Sequence, residues 1–339
     1  MTSPIFDSSL PQNFSRREFA RYSLASAGLA AAGPVLGETE RGVWKIVTHQ
    51  RREYVTAESV QAFYRFERFF RDDKDLIYRS PNTIMKWQVG STVIFINNIK
   101  FSLSYPVIEE NRKVIISRVD LQKLLDPVLR PWYIKSTEPF HTVTIDAGHG
   151  GHDPGARSSH GSEKEFALDM ARRLRDEVKK LGLAVHMTRD TDLFLSLPER
   201  VRIANKIDKS IFVSVHFNSG TNANASGIET YALAPQGTSS TNDGSVSASK
   251  YSGNQSDAQN IALATAVHAM VMTKIEAVDR GIKRARYNVL RGINRPAILF
   301  EGGFLTNSKE SRLVATASYR NQLAAAVAGG IQNFRKAIG

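Results

Sequence analysis

The chain has 339 residues, of which 42% are hydrophobic, 23% charged and 9% aromatic, and its formal net charge is +12. This composition is typical of globular proteins and excludes a fibrous or wholly disordered chain, and the length favours two domains. The chain contains no cysteine, which excludes disulfides, thiolate metal sites and cysteine nucleophiles. Any metal must therefore be held by nitrogen and oxygen ligands.

The positive charge is spread along the chain and is not concentrated in a basic arm. Residues 1–41 have no net charge, whereas residues 42–135 and 136–339 each carry +6. A diffuse basic surface suits a polyanionic partner such as cell wall, lipid headgroups or nucleic acid, although most basic surfaces are only solvated. No nucleic-acid-binding motif accompanies the charge, so we expect no nucleic-acid partner.

Residues 1–37 resemble an export signal. Arg16-Arg17 precedes a weakly apolar stretch from Tyr22 to Leu36, and Gly37 offers a small residue for cleavage. Paired arginines before a Gly/Ala-rich segment are typical of a twin-arginine signal, and the alternative is an amphipathic helix with a chance arginine pair. We therefore predict a periplasmic or otherwise exported protein. No apolar run of 18 or more residues follows position 40, so we expect no transmembrane span in the mature chain.

Residues 42–135 predict a small α+β domain, followed by a linker from Pro131 to Pro139. Its strand-like runs are Trp44–Thr48, Thr92–Ile96, Lys100–Leu103 and Val114–Ser117. A helical pattern covers Ala57–Phe70, Asn97-Asn98 marks a hairpin, and residues 121–129 predict a short helix that is halted at Pro127.

The sequence of this domain offers no cluster of histidines or carboxylates that would form a catalytic site. Tyr54-Val55, the helix after it and the terminal DLQKLLDP weakly resemble stalk modules similar to the N-terminal domain of copper amine oxidases. Because the domain is basic, we predict that it binds cell wall or an envelope partner.

Residues 141–338 alternate between strand-like and helical patterns. The predicted strands are 143–147, 184–188, 211–215, 228–233, 287–290 and 297–300, and the predicted helices lie near 163–181, 198–207, 258–276 and 318–337. This alternation predicts an α/β fold with a mostly parallel six-stranded sheet and helices on both faces. The Gly/Ser-rich residues 236–257 are long for a loop and predict a flexible insertion, either disordered, regulatory or a lid.

Polar side chains follow three of these strands where each strand ends. His149, His216 and Glu301 come just after the runs VTIDA, IFVSV and AILF. In open α/β sheets, ligands bind at the carboxyl ends of the strands, so we expect these side chains to meet there. Glu163 begins the helix after the first strand, and its spacing places it on the apolar face of that helix, whereas Glu165 falls on the wet face.

Two imidazoles and one carboxylate suit Zn²⁺ at a catalytic site, where three protein ligands leave a fourth position open. We therefore predict His149, Glu163 and His216 as the ligands of one Zn²⁺, and Glu301 as the residue that transfers the proton during hydrolysis of an amide. A single histidine or glutamate would more often be structural, for example a carboxylate at a helix N-terminus. Four such residues at one sheet edge favour the site.

Four ordered motifs carry a resemblance to a known family. TIDAGHGGHDPGA (144–156), SEKEFALDMARRL (162–174), SVHFNS (214–219) and AILFEGGFLTN (297–307) are similar to the zinc-dependent N-acetylmuramoyl-L-alanine amidases of the amidase 3 family. The resemblance implies the same zinc ligands and the same catalytic Glu301. It also implies the reaction, which is cleavage of the amide between N-acetylmuramic acid and the L-alanine of the stem peptide of peptidoglycan.

The resemblance implies further residues and a regulatory difference. Arg189, Arg200 and Asn205 match family positions with a mainly structural role, and we predict that Asn218, Arg189 and Asn205 bind substrate or support the ligands. His152 and His160 are expected to be surface histidines. Some relatives carry a helix that occludes the zinc, but residues 236–257 have a composition poor for a helix, so we do not expect that form of autoinhibition.

Two other functions stay open from the sequence alone. A zinc peptidase that cuts within the stem peptide could use the same site, and a catalytically silent protein could use the fold to bind cell wall. The partners that we expect are peptidoglycan and an envelope activator protein.

Overall fold

The computed structural model describes residues 44–134 and 139–338. The predicted export signal at 1–37 lies outside the described residues, as do residues 135–138 of the predicted linker. None of the helices in the described part of the chain combines the length and the hydropathy that crossing a bilayer requires.

The first region, residues 44–134, is built from antiparallel strands and short helical segments. The strands are β1 (Ile46–His49), β2 (Arg52–Thr56), β3 (Arg68–Asp72), β4 (Asp75–Ser80), β5 (Thr83–Gln88), β6 (Val93–Ile96), β7 (Ile99–Ser102), β8 (Ile108–Glu110) and β9 (Lys113–Ser117). The helical segments are α1 (Ala57–Tyr64), α2 (Arg118–Asp120), a π-helical turn (Leu121–Leu125), α3 (Asp126–Leu129) and a 3₁₀ turn (Pro131–Tyr133). Strands β1, β2, β9 and β8 form a separate four-stranded sheet.

Two helix predictions in this region were wrong. Helix α1 ends at Tyr64 because Arg65 adopts a left-handed conformation (φ 54°), and the residues up to Phe70 that continue the apolar pattern belong largely to β3. The helix near 121–129 is not halted at Pro127, because the proline lies in the first turn of α3, where a missing N–H group costs no hydrogen bond. The predicted hairpin is confirmed, with Asn97 and Asn98 both at positive φ between β6 and β7.

The second region, residues 139–338, alternates strands and helices as predicted. The strands are β10 (Thr142–Ala147), β11 (Arg157–Ser158), β12 (Gly161–Ser162), β13 (Ala184–Met187), β14 (Ser210–Asn218), β15 (Ile228–Leu233), β16 (Asp279–Ala285) and β17 (Ala297–Phe304). The helices are α4 (Glu163–Lys180), α5 (Leu197–Asn205), a 3₁₀ turn (Ser252–Ser256), α6 (Asp257–Lys274), α7 (Asn288–Gly292), α8 (Ser308–Val314) and α9 (Ala317–Ile338).

One strand was assigned to the wrong residues. The run at 287–290 lies mainly in helix α7, where Val289 and Leu290 are buried, and the strand is β16, just before it. The charged residues Lys283 and Arg284 hid β16 from the sequence pattern, since both are buried or half-buried only because carboxylates pair with them.

A single large sheet joins the two regions. Its strand order is β13-β10-β14-β17-β15-β16-β7-β6-β5-β4-β3. The six strands from the second region are parallel except where β15 meets β17, and β7 of the first region pairs with β16 through Phe101 and Ile282. The α/β class is confirmed, and the sheet is larger than the six-stranded sheet that the sequence predicts, because it crosses the predicted domain boundary.

Helices cover both faces of this sheet, as predicted. Helices α4, α6 and α9 pack on one face in the main core. On the other face, α5 and α7 cover a smaller core that includes Phe212, Tyr231 and Leu299.

Residues 236–257 have more structure than their composition indicates. The segment includes the Ser252–Ser256 turn and a bridge between Ser239 and Val246. Arg286 donates to three backbone carbonyls in and beside it, and Thr238 and Ser240 are buried. The segment follows β15 at Leu233, the end of that strand that lies against the first region.

A buried ion pair fixes the junction between the regions. Asp120, at the end of α2, pairs with Arg284 of β16, and both side chains are almost fully buried. Asp120 also accepts the backbone N–H groups of Ser104 (2.9 Å) and Tyr105 (3.2 Å). Farther along the seam, Tyr105 donates its hydroxyl to the carbonyl of Gly237 at 2.7 Å.

We expect Asp120→Asn to destabilise the whole chain, because it leaves the Arg284 guanidinium buried without its counter-ion. Removing one partner of a buried pair costs about 3–5 kcal/mol. Urea unfolding should show this loss as a lower midpoint, whereas Glu109→Gln, which removes the exposed pair with Arg71, should leave the midpoint almost unchanged. Equal midpoints for the two variants would contradict the role of the junction.

Candidate metal centre

A row of polar side chains crosses one face of the sheet. The register pairs His216 of β14 with Glu301 of β17, and Glu301 with Glu229 of β15. Paired residues on neighbouring strands point to the same face, so these three side chains lie side by side. Gly148 beside them leaves the space for the imidazole, since a Cβ there would lie 2.3 Å from the His216 ring.

Helices α5 and α7 cover the lower part of this face, beneath the row. Beneath His216 and Glu301 lie Ser214 and Leu299, and the next layer contains Phe212. The row therefore forms at the carboxyl ends of β14 and β17, where the sequence predicted a site.

His149 approaches the row from the end of β10 in a conformation that few residues adopt. Its φ is 58°, in the left-handed region. Two buried arginines hold the backbone around it: Arg200 donates to the carbonyl of His149 at 2.6 Å, and Arg189 donates to the carbonyls of Ala147 (2.9 Å) and Gly148 (2.6 Å). Their hydrogen bonds compensate for the strained turn.

Asp146 supplies the counter-charge for these arginines. It is 1% exposed and accepts from Arg200 (2.8 Å), Thr188 (2.6 Å) and Ser214 (2.7 Å). Burial alone would raise the pKa of Asp146, but the Arg200 charge and these hydrogen bonds hold it below its usual value. Burial and the neighbouring Arg200 lower the pKa of Arg189 to about 10.

Glu163 reaches the row from the opposite face of the sheet. It is the first residue of α4, and Glu165 turns away to bond the backbone N–H of Ser162. The Glu163 carboxylate contacts His216 Nδ1 (2.8 Å) and His149 Nε2 (3.1 Å). It also accepts the backbone N–H groups of Ala156 (2.9 Å) and Phe217 (3.2 Å).

These contacts determine the charge state of the cluster. Burial opposes ionisation of Glu163, but hydrogen bonds from His149 and His216 hold its pKa well below its usual range. Burial would likewise lower the pKa of His149, and its hydrogen bonds to Glu163 and Asp153 reverse the shift and raise it. The carboxylate is therefore ionised at neutral pH.

The three predicted ligand residues converge on one point. One ligand atom from each of His149, Glu163 and His216 lies within 4.8 Å of the other two. A Cβ at Gly155 would lie 2.5 Å from the Glu163 carboxylate and 2.6 Å from the His149 ring, so only glycine leaves the cluster its space. His149 also bonds Asp153 through Nδ1 at 2.8 Å, an arrangement that orients metal-binding histidines. Two imidazoles and one carboxylate that converge beside Gly155 form a donor set that fits Zn²⁺.

Glu301 lies next to this cluster and is 8% exposed. Its Oε2 atom is buried and has no hydrogen-bond partner among the described residues. Burial, and then the charges of Glu163 and Glu229, raise its pKa well above the usual value for glutamate. This environment therefore favours the protonated form of the Glu301 carboxyl group more than water does.

Glu229, which was not among the residues predicted from the sequence, has the opposite environment. Asn218 (3.0 Å), Lys283 (2.7 Å), Tyr231 and Arg280 all donate to its carboxylate. Burial would raise the pKa of Glu229, but Lys283 and the other donors lower it. The signal in the sequence was a carboxylate at the start of an otherwise apolar strand.

The remaining predicted residues divide into those near the cluster and those far from it. Arg189 supports the His149 turn, and Asn218 contacts Glu229. Asn205 instead bonds the carbonyl of Gly292 at 3.0 Å, near the start of β17 and at the other end of the sheet. His152 and His160 are exposed, as predicted. Asp146 and Asp153 were missed, although both lie in the motif around His149.

Comparisons with known proteins agree with the geometry. A family model described as N-acetylmuramoyl-L-alanine amidase matches residues 143–333. The chain is 31% identical over 217 residues to the N-acetylmuramoyl-L-alanine amidase AmiA of Escherichia coli K12, an alignment that covers 57% of this chain and 75% of the relative. It is 33% identical over 202 residues to the uncharacterized protein YqiI of Bacillus subtilis 168, with 59% and 88% covered.

A solved structure gives the same result. The crystal structure of N-acetylmuramoyl-L-alanine amidase from Clostridium difficile 630 is 32% identical, with a TM-score of 0.50, over 60% of this chain and 100% of that chain.

The geometry predicts a graded series of metal affinities. His216→Ala should abolish tight binding of Zn²⁺, because two ligands remain. Asp153→Asn should weaken binding about 10–100-fold, because it loosens the orientation of His149. Calorimetric titration of chelator-treated protein measures both, with exposed His160→Ala as the control; binding by His216→Ala equal to wild type would exclude this site.

The pKa of Asp146 predicts a specific pH dependence. The pKa of Asp146 is lower in the folded state than in the unfolded state. Its ionised carboxylate therefore contributes fully to the free energy of unfolding above the unfolded-state pKa, and this contribution is lost as the pH falls through the folded-state pKa. Asp146→Asn should therefore be less stable than wild type near neutral pH, and the gap should narrow below about pH 4. Urea unfolding across this range measures the gap; a constant gap would show that Asp146 acts by shape alone.

Proposed function

Because the chain belongs to the N-acetylmuramoyl-L-alanine amidase family, we propose that His149, Glu163 and His216 hold one Zn²⁺ and that Glu301 transfers the proton in the reaction. As a member of this family, the chain is a peptidoglycan amidase, which hydrolyses the amide between N-acetylmuramic acid and L-alanine. The observation that carries the proposal is the convergence of these three side chains one strand away from a buried glutamate.

The chain's own residues account for binding, orientation and proton transfer. His149, Glu163 and His216 would hold the Zn²⁺, and a metal bound there would supply a Lewis acid for the amide carbonyl. Glu301 accepts a proton from the attacking water and delivers it to the leaving amine nitrogen, and its raised pKa makes it a stronger base for this step. Asp153 holds the His149 ring, and Arg189 and Arg200 hold the backbone that presents it.

The environments of the two neighbouring glutamates favour Glu301 over Glu229 for proton transfer. Both carboxylate oxygens of Glu229 already accept hydrogen bonds, from four side chains in all. Its pKa is also lowered, so it is a weaker base than Glu301. Its role is to position Asn218 and Lys283 beside the reaction site.

We also propose export through the twin-arginine pathway and a wall-binding or partner-binding role for residues 42–135. The basic charge of that region supports wall binding, and its resemblance to stalk modules stays a prediction, as does the envelope activator. A lid formed by residues 236–257 is not favoured, because the segment leaves β15 at Leu233, the opposite end of the strand from Glu229.

Mass spectrometry of peptidoglycan incubated with the purified protein tests the function directly. We expect intact stem peptides that begin at L-alanine, formed only when metal is present. Cleavage inside the peptide would instead identify a zinc peptidase, and Zn²⁺ binding without any product would identify a silent wall-binding protein.

Glu301→Gln tests the mechanism. It should retain one Zn²⁺ and lose about 10²–10⁴-fold in turnover, the usual contribution of a general base. Glu177→Gln, at a half-exposed position of α4 where the carboxylate pairs with Lys180, should retain both metal and turnover. Normal turnover in Glu301→Gln would exclude the proposed role of this carboxylate.

A further inference from the structure

A cleft lies on the seam between the two regions, and none of the metal-centre residues lines it. Its volume is about 340 Å³. The first region contributes Arg52, Arg118 and Gln122, the 236–257 segment contributes Gln236 and Thr238, and Tyr105 lies between them. Gln236 and Thr238 follow β15 at the end opposite Glu229, so the cleft lies at the other end of that strand from the catalytic row.

The floor of the cleft is rigid. Tyr105, Ser117 and Thr238 are each at most 9% exposed. Tyr105 donates to the carbonyl of Gly237, and Thr238 donates to the carbonyl of Pro235 at 2.7 Å. The buried pair of Asp120 and Arg284 lies behind this floor, so both regions hold the shape of the cleft.

The rim carries an excess of one positive charge. Arg118 pairs with Glu53, and both side chains are about half exposed. Arg52 stacks on the Tyr105 ring with 4.4 Å between its Cζ and the ring centroid, and it has no ion pair among those found in the described residues. Gln122 and Gln236 add amide groups that can bind a peptide backbone.

We propose that this cleft is an auxiliary binding site for a free carboxylate of a peptidoglycan stem peptide. The inference rests on the proposed function for the identity of the polymer. A guanidinium binds a carboxylate through two parallel hydrogen bonds, and the net charge of the rim matches a monoanion. A doubly charged phosphate would give the rim a net negative charge, whereas a carboxylate would neutralise it, so the net charge favours a carboxylate.

The cleft promotes hydrolysis at the metal centre because the substrate is a polymer. Exposed ion pairs are individually weak, but peptidoglycan presents many stem peptides on one molecule. A peptide bound in the cleft raises the effective concentration of its neighbours at the metal centre. The cleft therefore favours intact wall over soluble fragments as substrate.

The test compares the hydrolysis of two substrates, intact sacculi and a soluble muramoyl peptide. Arg52→Gln/Arg118→Gln should lower the ratio of the kcat/KM values for sacculi and fragment about tenfold. The matched control is Lys179→Gln/Lys336→Gln, which removes the same charge from two exposed positions on α4 and α9 and should leave the ratio unchanged. Co-sedimentation with sacculi, in a Glu301→Gln background, should show the same loss of binding.

Three results would overturn the proposal. The ratio could be unchanged, or both rates could fall equally, which would indicate a structural role for the arginines. Binding that disappears when phosphate polymers are stripped from the sacculi would assign the cleft to phosphate. Failure of the proposed function is distinct, because wild type would then hydrolyse neither substrate while co-sedimentation would still report on the cleft.

Discussion

The buried ion pair between Asp146 and Arg200 is the interaction on which the metal centre depends. A buried pair recovers the cost of its desolvation only when further hydrogen bonds satisfy the charges. Here Thr188 and Ser214 complete the shell of Asp146, and Arg200 uses its remaining N–H groups on the carbonyls of Ala147, His149 and Leu195. The pair thus holds the Arg200 guanidinium where it can fix the backbone around His149. The left-handed φ of His149 is one consequence.

Strand β16 connects the catalytic row with the junction between the regions. Successive residues of a strand point to opposite faces, so Lys283 and Arg284 face different partners. Lys283 pairs with Glu229 of the row, and Arg284 pairs with Asp120 of the first region. The first region is therefore part of the support of the site, since β7 extends the sheet on the other side of the same strand.

The catalytic set could be predicted because each member is encoded locally. His149, His216 and Glu301 follow apolar strands directly, and Glu163 is identified by the periodicity of its own helix. Their partners could not be found in this way, because Asp153 bonds through a turn and Glu229 reaches the row only through the pairing of β15 with β17.

The same limit explains the errors in secondary structure. Strand β16 was missed because the charged Lys283 and Arg284 break the apolar pattern. Their burial is stabilised by carboxylates far away in the sequence, Glu229 and Asp120. Helix α1 was extended too far because the aromatic residues continue beyond its end into β3, where Phe69 stacks on Tyr78 and Phe70 is exposed. The larger sheet followed from the pairing of Ile282 with Phe101, a contact between residues far apart in the sequence.

The antiparallel pairing of β15 finally decides how two adjacent glutamates differ. It places Glu229 beside Glu301 and leaves Tyr231 next to it on the same face, where the hydroxyl can donate to Glu229. A slip of one residue would turn Glu229 to the opposite face and would remove a negative charge from beside Glu301. Burial is the main cause of the raised pKa of Glu301, and the charges of Glu163 and of Glu229, which the register places beside it, raise that pKa further. Two carboxylates of identical chemistry thus differ in basicity.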